Sequence, residues 1–164
     1  MVSFIHNYPS PLEREFTRFY HQKSKQYAHL HKNKSVTMVG LSAEHSIVKK
    51  GDTILKVEFA KAALSSEALG KRKRGALGLR TDTLLCHITT IDGETHRIDS
   101  LVNMDLVEIN SRLEKEPDLI VQDPEGAGFL CIGLIRADPD MAKCFPGFTR
   151  GGDVMKFRLQ EVST

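Results

Sequence analysis

Few residues in this chain combine a reactive side chain with a spacing that could do chemistry. His29 and His31 lie two apart, so on a strand their imidazoles would share one side, as two ligands of a metal site could. No carboxylate or cysteine is close enough in sequence to complete such a site, and both histidines are expected at the surface. His45 has no nucleophile or second base beside it, so the expected role is structural, bonding the turn it occupies. Glu114 and Glu116 fall in a short charged helix and are expected to be solvated. Cys86, Cys131 and Cys144 share no C-x-x-C spacing; the first two sit in apolar runs and read as small buried residues of a reducing compartment. Gly126 and Gly128 look like part of a phosphate-binding glycine loop, but they follow a turn and precede a strand, so their expected part is backbone geometry. There is no G-x-S-x-G and no H-E-x-x-H. The sequence therefore assigns no catalytic, cofactor-binding or metal residue, no cofactor, and no enzymatic activity.

Charge is the stronger signal. The net charge of +2 hides +8 on residues 1–82 and −6 on residues 83–164. Two halves pairing within one domain would explain the asymmetry, and so would two surfaces with different partners. Its densest point is Lys71, Arg72, Lys73 and Arg74, bracketed by Gly70 and Gly75. Four adjacent cations cannot all be buried, which predicts an exposed loop. Such a loop reads as a solvated linker, as a nuclear-import or nucleic-acid patch, or as a contact for an acidic protein surface. No aromatic is interleaved to stack bases, which weakens the nucleic-acid reading.

The elements that would position these residues are mostly short strands. Apolar runs at Ser35–Leu41, Thr53–Phe59, Thr83–Ile91, Thr95–Ser100, Leu106–Ile109 and Phe129–Ile135 have strand length, and Leu119–Val121 reads as another. Asp92-Gly93 between two such runs predicts a hairpin, and Gly51-Asp52 reads as a hairpin-like turn. Asp123, Pro124, Gly126 and Gly128 mark a further turn. Ser10-Pro11-x-Glu13 predicts a helix start, with Leu12, Phe16, Phe19 and Tyr20 on one face of that helix. Asn110 is placed to cap a short helix that Pro117 closes. Residues 21–34 are polar and basic, residues 60–70 fit either a helix or a long connection, and Val154–Leu159 reads as a half-buried or edge strand. No run reaches the roughly 20 apolar residues of a membrane span, so no membrane contact is expected. The expected organisation is a mobile N-terminus at 1–9, one domain at 10–136 that includes the N-terminal helix, and an extension at 137–164 packing on it.

The run from Ser100 to Leu134 resembles the second half of the glycine-cleavage H protein, a lipoyl carrier. That pattern is matched by Val107, Glu108, Asn110, Leu113, Pro117, Asp123, Pro124, Gly126, Gly128 and Phe129. With F-T-R-F-Y at 16–20, A-E-H at 43–45, G-K-R-K-R-G-A at 70–76 and D-G-E at 92–94, the chain resembles the Abitram (Simiate) family from about Glu15 to Leu134. The resemblance implies a mainly β fold, a lipoyl-like barrel-sandwich hybrid with short flanking helices. It also implies a protein that binds actin and modulates transcription, in nuclear speckles and in the cytoplasm, with nuclear proteins as further partners; self-association stays open. In H proteins the lipoylated lysine occupies a hairpin tip that falls here on or beside Gly93. No lysine occurs between Gly75 and Glu114. The chain therefore reads as a carrier fold without its carrier function, the alternative being a degenerate carrier-like subunit or regulator of lipoate metabolism.

Overall fold

A computed structural model describes residues 15–33, 35–68, 77–135 and 143–151. The expected mobile segment 1–9, the helix start at Ser10, the basic loop Lys71–Arg74 and the strand at Val154–Leu159 lie outside the described residues.

The chain builds two antiparallel sheets. In order, its elements are β1 (Phe16–His21), β2 (Gln26–His31), β3 (Val36–Leu41), α1 (Ser46–Lys50), β4 (Ile54–Phe59), α2 (Lys61–Ala68), β5 (Gly78–Leu79), β6 (Leu84–Thr90), β7 (Thr95–Asp99), β8 (Met104–Ile109), a 3-10 turn (Ser111–Glu114), α3 (Leu119–Gln122), β9 (Cys131–Leu134) and β10 (Phe148–Arg150). The larger sheet runs β10-β1-β2-β3-β9-β8-β5, and the smaller runs β4-β6-β7. Leu30, Val39, Leu41, Leu106 and Leu130 from the larger sheet and its flanks meet Ile54, Val57, Phe59, Leu85, Ile88 and Ile98 from the smaller in one buried cluster. Removing such side chains from water, at about 25 cal/mol per Å² of apolar area, is what holds the two sheets together. Among the described residues no helix is long and apolar enough to cross a membrane.

Several local expectations are corrected. Phe16, Phe19 and Tyr20 stand on β1 rather than on a helix. β1 pairs with β2 on one side and β10 on the other, and Phe19 stacks on Phe145 with ring centroids 4.4 Å apart. Aromatic and β-branched residues suit a strand flanked on both sides, and this pairing overrides the helical spacing. Residues 26–31, taken as polar surface, form β2, of which only His31 is not buried. Leu119–Val121 is helical: Ile120 points into the core, Asp118 Oδ1 accepts the Ile54 N–H at 2.9 Å, and Pro117 stands at the entrance of α3. Gly51 does not turn a hairpin but ends α1, its N–H bonded to the Val48 carbonyl. Residues 61–68 settle as the helix α2. Between Ile54 and Lys56 the register of β4 slips against β6, and Leu55 is left 58% exposed at that irregularity.

Candidate functional site

The β6–β7 hairpin is where the resemblance puts a carrier's lysine. Thr90 N–H donates to the Glu94 carbonyl at 2.9 Å and Gly93 N–H to the Thr90 carbonyl at 3.0 Å. Three residues, Ile91, Asp92 and Gly93, thus form the loop, and Gly93 has φ +90°. This is the three-residue hairpin with a left-handed glycine, not a two-residue turn. The Asp92 carboxylate accepts from the Thr90 hydroxyl and, at 3.4 Å, from the Glu94 N–H. Those two bonds hold its pKa below the usual carboxylate range. The tip carries two carboxylates and an isoleucine that is 67% exposed, and it carries no amine.

Asp123, Pro124, Gly126 and Gly128 sit together in the turn between α3 and β9. Asp123 Oδ2 accepts the Ala127 N–H at 2.9 Å, and its carbonyl accepts the Gly128 N–H at 2.8 Å. A Cβ on Gly128 would fall inside the Leu119 carbonyl, and one on Gly126 would overlap the Asp123 carboxylate. These glycines allow close approach of the chain to itself. Asn110 does not cap the helix after it. Its Nδ2 donates to the carbonyls of Ala127 and Phe129, each at 2.8 Å, and so clasps the turn to the end of β8. The start of α3 and the hairpin's loop both hold the start of β4: Asp118 accepts the Ile54 N–H, and the neighbouring Thr53 carbonyl accepts the Ile91 N–H at 2.9 Å.

A polar box that sequence reasoning missed lies under this turn. Tyr27 and His29, both fully buried, stack at 4.2 Å, and Tyr20 meets the His29 ring edge-on at 6.0 Å. Tyr20 Oη donates to Glu125 Oε1 at 2.5 Å, and Tyr27 Oη donates to the Pro124 carbonyl at 2.7 Å. His29 is thus a core residue, correcting its expected surface position. Its Nε2 lies 3.0 Å from Glu125 Oε1, but neither ring nitrogen has a well-aligned hydrogen-bond partner. Burial pushes the Glu125 carboxyl up; the His29 nitrogen and the Tyr20 hydroxyl outweigh it and hold the carboxyl below its ordinary value. Burial raises both tyrosine hydroxyls, reinforced by the charge of Glu125. The alternation of Tyr27, His29 and His31 along one face was the available signal, obscured by the surrounding lysines.

His45 does hydrogen-bond its turn. Its Nδ1 accepts the Ile47 N–H at 3.2 Å as the cap of α1. Burial, then the charge of the nearby His96, lowers its pKa to about 4. Glu114 and Glu116 are exposed, as expected, and Cys86 and Cys131 are buried, with burial pushing both thiols up. Among the described residues no three His, Cys, Asp or Glu side chains gather as metal ligands.

Comparison with models of known protein families gives no match. Protein Abitram of Drosophila melanogaster is 33% identical over 134 residues, covering 80% of this chain and 63% of its own length. An uncharacterised protein of Caenorhabditis elegans is 33% identical over 129 residues, covering 77% of this chain and 82% of its own. The chain belongs to the Abitram family. Protein Abitram of Homo sapiens is 27% identical over 135 residues, with 77% of this chain and 75% of the human one covered. This Abitram chain spans 63% and 59% of the lengths of its Drosophila and Dictyostelium discoideum relatives. The crystal structure of a glycine cleavage system H protein from Mycobacterium marinum matches with a TM-score of 0.57 at 13% identity, covering 83% of this chain and 91% of that one. At that identity the likeness is one of fold, and it bears out the H-protein-like architecture.

Proposed function

We propose that this chain is a non-enzymatic interaction module that binds actin and modulates transcription, acting in nuclear speckles and in the cytoplasm with nuclear proteins among its partners. One observation carries the reading. On a carrier protein's fold, the β6–β7 tip offers Ile91-Asp92-Gly93-Glu94 and no amine to take a lipoyl or biotinyl group. Lipoylation needs an exposed lysine from which the arm can swing clear, and Lys115, just after the 3-10 turn, is outside this hairpin. Membership of the Abitram family supports the actin and nuclear assignments. Lys71, Arg72, Lys73 and Arg74 supply the electrostatic contact or the import signal, an attraction that salt screens over about 10 Å at 0.1 M.

The test has two arms. Protein co-expressed with lipoyl and biotinyl ligases and their substrates is weighed intact, and the unmodified mass is expected; a stoichiometric adduct would move the chain to the carrier-like alternative in lipoate metabolism. Cosedimentation with actin filaments is expected at low salt and reduced by changing Lys71–Arg74 to alanine, which should also lower nuclear accumulation without unfolding the protein. Retention of both properties would leave that loop a solvated linker.

A further inference from the structure

Strand β7 forms an outer edge of the smaller sheet, with β6 its only strand partner among the described residues. The direction of its backbone groups follows from its flanks. The Glu94 carbonyl accepts from Thr90 and the Ser100 N–H donates to Thr83, so the even-numbered residues of this run turn toward β6. The Asp99 carbonyl turns the other way and accepts from Gln26 Nε2 at 2.9 Å. By the alternation of a strand, the N–H and C=O groups of Thr95 and Arg97 face outward too.

Arg97 borders a groove of about 450 Å³ between β7, the β1–β2 turn and the start of α1, lined also by Lys23, Lys25, Lys49, His45 and His96 among others. All four of those cations are exposed. Lys49 approaches Glu44 at 3.8 Å and Arg97 approaches Asp99 at 2.8 Å, whereas Lys23 and Lys25 have no ion-pair partner among the described residues. Lys25 is fixed on the rim at φ +57°, its carbonyl held by both the N–H and the hydroxyl of Ser42 at 3.0 and 2.7 Å. The Nδ1 of His45 is occupied as the acceptor of the α1 cap, which leaves its Nε2 as the hydrogen-bond donor.

We infer that this groove takes an extended, carboxylate-bearing segment of a partner protein, which adds a strand to the free edge of β7 while its acidic side chains meet Lys23, Lys25, Lys49 and Arg97. Main-chain bonds supply affinity in such strand addition and the flanking side chains supply selectivity. A second copy of this chain fits less well, because pairing β7 with β7 would bring the same cations together. A nucleic-acid strand also fits less well: the outward N–H and C=O groups of a strand edge match a peptide backbone, and the groove is lined by no Phe, Tyr or Trp on which bases would stack. This inference deepens the interaction-module reading and rests on it.

The probe is a fluorescein-labelled peptide of four Val-Glu repeats, titrated into the 164-residue chain with amide chemical shifts recorded in parallel. Binding is expected, with the largest shifts and slowed exchange at the Thr95 and Arg97 amides, and at least tenfold weakening by Lys23→Glu with Lys25→Glu. Arg97→Pro should leave the fold intact, since an outward-facing N–H on an edge strand is dispensable, and should abolish binding; Arg97→Gln should retain most of it. Absence of binding, shifts confined to residues 70–75, equal binding of a Val-Lys peptide, or stronger binding of a deoxythymidine decamer would overturn the inference. So would a concentration-dependent dimer lost in Arg97→Pro. Because actin cosedimentation is scored separately, its persistence without peptide binding would remove the groove and leave the interaction module standing.

Discussion

Replacing Asn110 tests whether the α3–β9 turn is clasped to the sheet by one side chain. Asn110 is 6% exposed, and its amide satisfies the carbonyls of Ala127 and Phe129, each at 2.8 Å. Alanine removes both donors and leaves two half-buried carbonyls without that partner. A net hydrogen bond is worth about 1 kcal/mol and an unmet buried polar group costs about 1–3 kcal/mol, so Asn110→Ala is expected to destabilise by about 2–4 kcal/mol. Aspartate is the sharper probe. It keeps the shape but points a charged acceptor at two carbonyls, so Asn110→Asp should cost more than Asn110→Ala at pH 7.

The sign of its pH dependence follows from the same geometry. Burial and the facing carbonyls favour the protonated acid, raising the folded-state pKa of the introduced Asp above its unfolded value, so the deficit should shrink as pH falls. Urea unfolding followed by circular dichroism at pH 7 and pH 5 measures both effects, with the midpoint moving and the slope unchanged. In a chain of this size each kcal/mol corresponds to about 2–4 °C in Tm. If Asn110→Asp proved no worse than Asn110→Ala, or if Asn110→Ala fell within about 0.5 kcal/mol of the parent, the clasp would not be what holds the turn.

Gly128→Ala should be the more damaging of two matched changes, at about 2–4 kcal/mol, because its Cβ meets the fixed Leu119 carbonyl; Gly126→Ala meets the Asp123 carboxylate, which can rotate away at the loss of its bond from the Ala127 N–H, and should cost about 1 kcal/mol. Thermal melts that ranked them the other way would contradict the close approach described. Gly93→Val has open space around it but needs φ +90°, so it should cost about 1–2 kcal/mol of backbone strain, and Gly93→Asn clearly less, by the same melts. His45 has a folded pKa near 4 against 6.5, so the unfolded chain binds the extra proton and stability should fall as pH drops from about 6.5 to 4. His45→Asn keeps a capping acceptor for the Ile47 N–H and should flatten stability over that window in pH-dependent unfolding; an unchanged slope would clear His45 of the effect.

What could be read from the sequence was whatever depended on local pattern. Asp92-Gly93 between β-rich runs marked the β6–β7 hairpin, and Phe129–Ile135 marked β9. What escaped reading was set by contacts distant in sequence. Phe16, Phe19 and Tyr20 satisfy a helical spacing as well as a strand, and only pairing with β2 and β10 decides between them. Leu119-Ile120-Val121 has strand composition, yet Pro117 and the Asp118 bond to Ile54 start a helix that buries Ile120. Asn110 sits where a cap should sit, but carbonyls 17 and 19 residues later claim its amide. The polar box was illegible for the same reason: Glu125 comes from a turn about a hundred residues after Tyr20 and Tyr27, and only the folded topology brings them together.

The β6–β7 hairpin separates what the core holds in place from what solvent leaves free. Strands β6 and β7 are two of the three in the smaller sheet, and Leu85, Cys86, Ile88 and Ile98 place their side chains in the shared core. Losing the hairpin would expose those side chains, each worth about 1.5–3 kcal/mol when fully buried for residues of leucine or isoleucine size. Selection for stability alone therefore preserves the strands, and a left-handed Gly93 preserves the turn, whatever stands at the tip. Apart from the φ of Gly93, the tip is free of packing constraint, because Ile91 is exposed and nothing lies within 4 Å of a Cβ built on Gly93. The edge of β7 and its basic groove are presented by the part that the fold must keep. An activity that relies on that edge would inherit the rigidity of the core, which is why the interaction-module reading asks less of this structure than a carrier arm would.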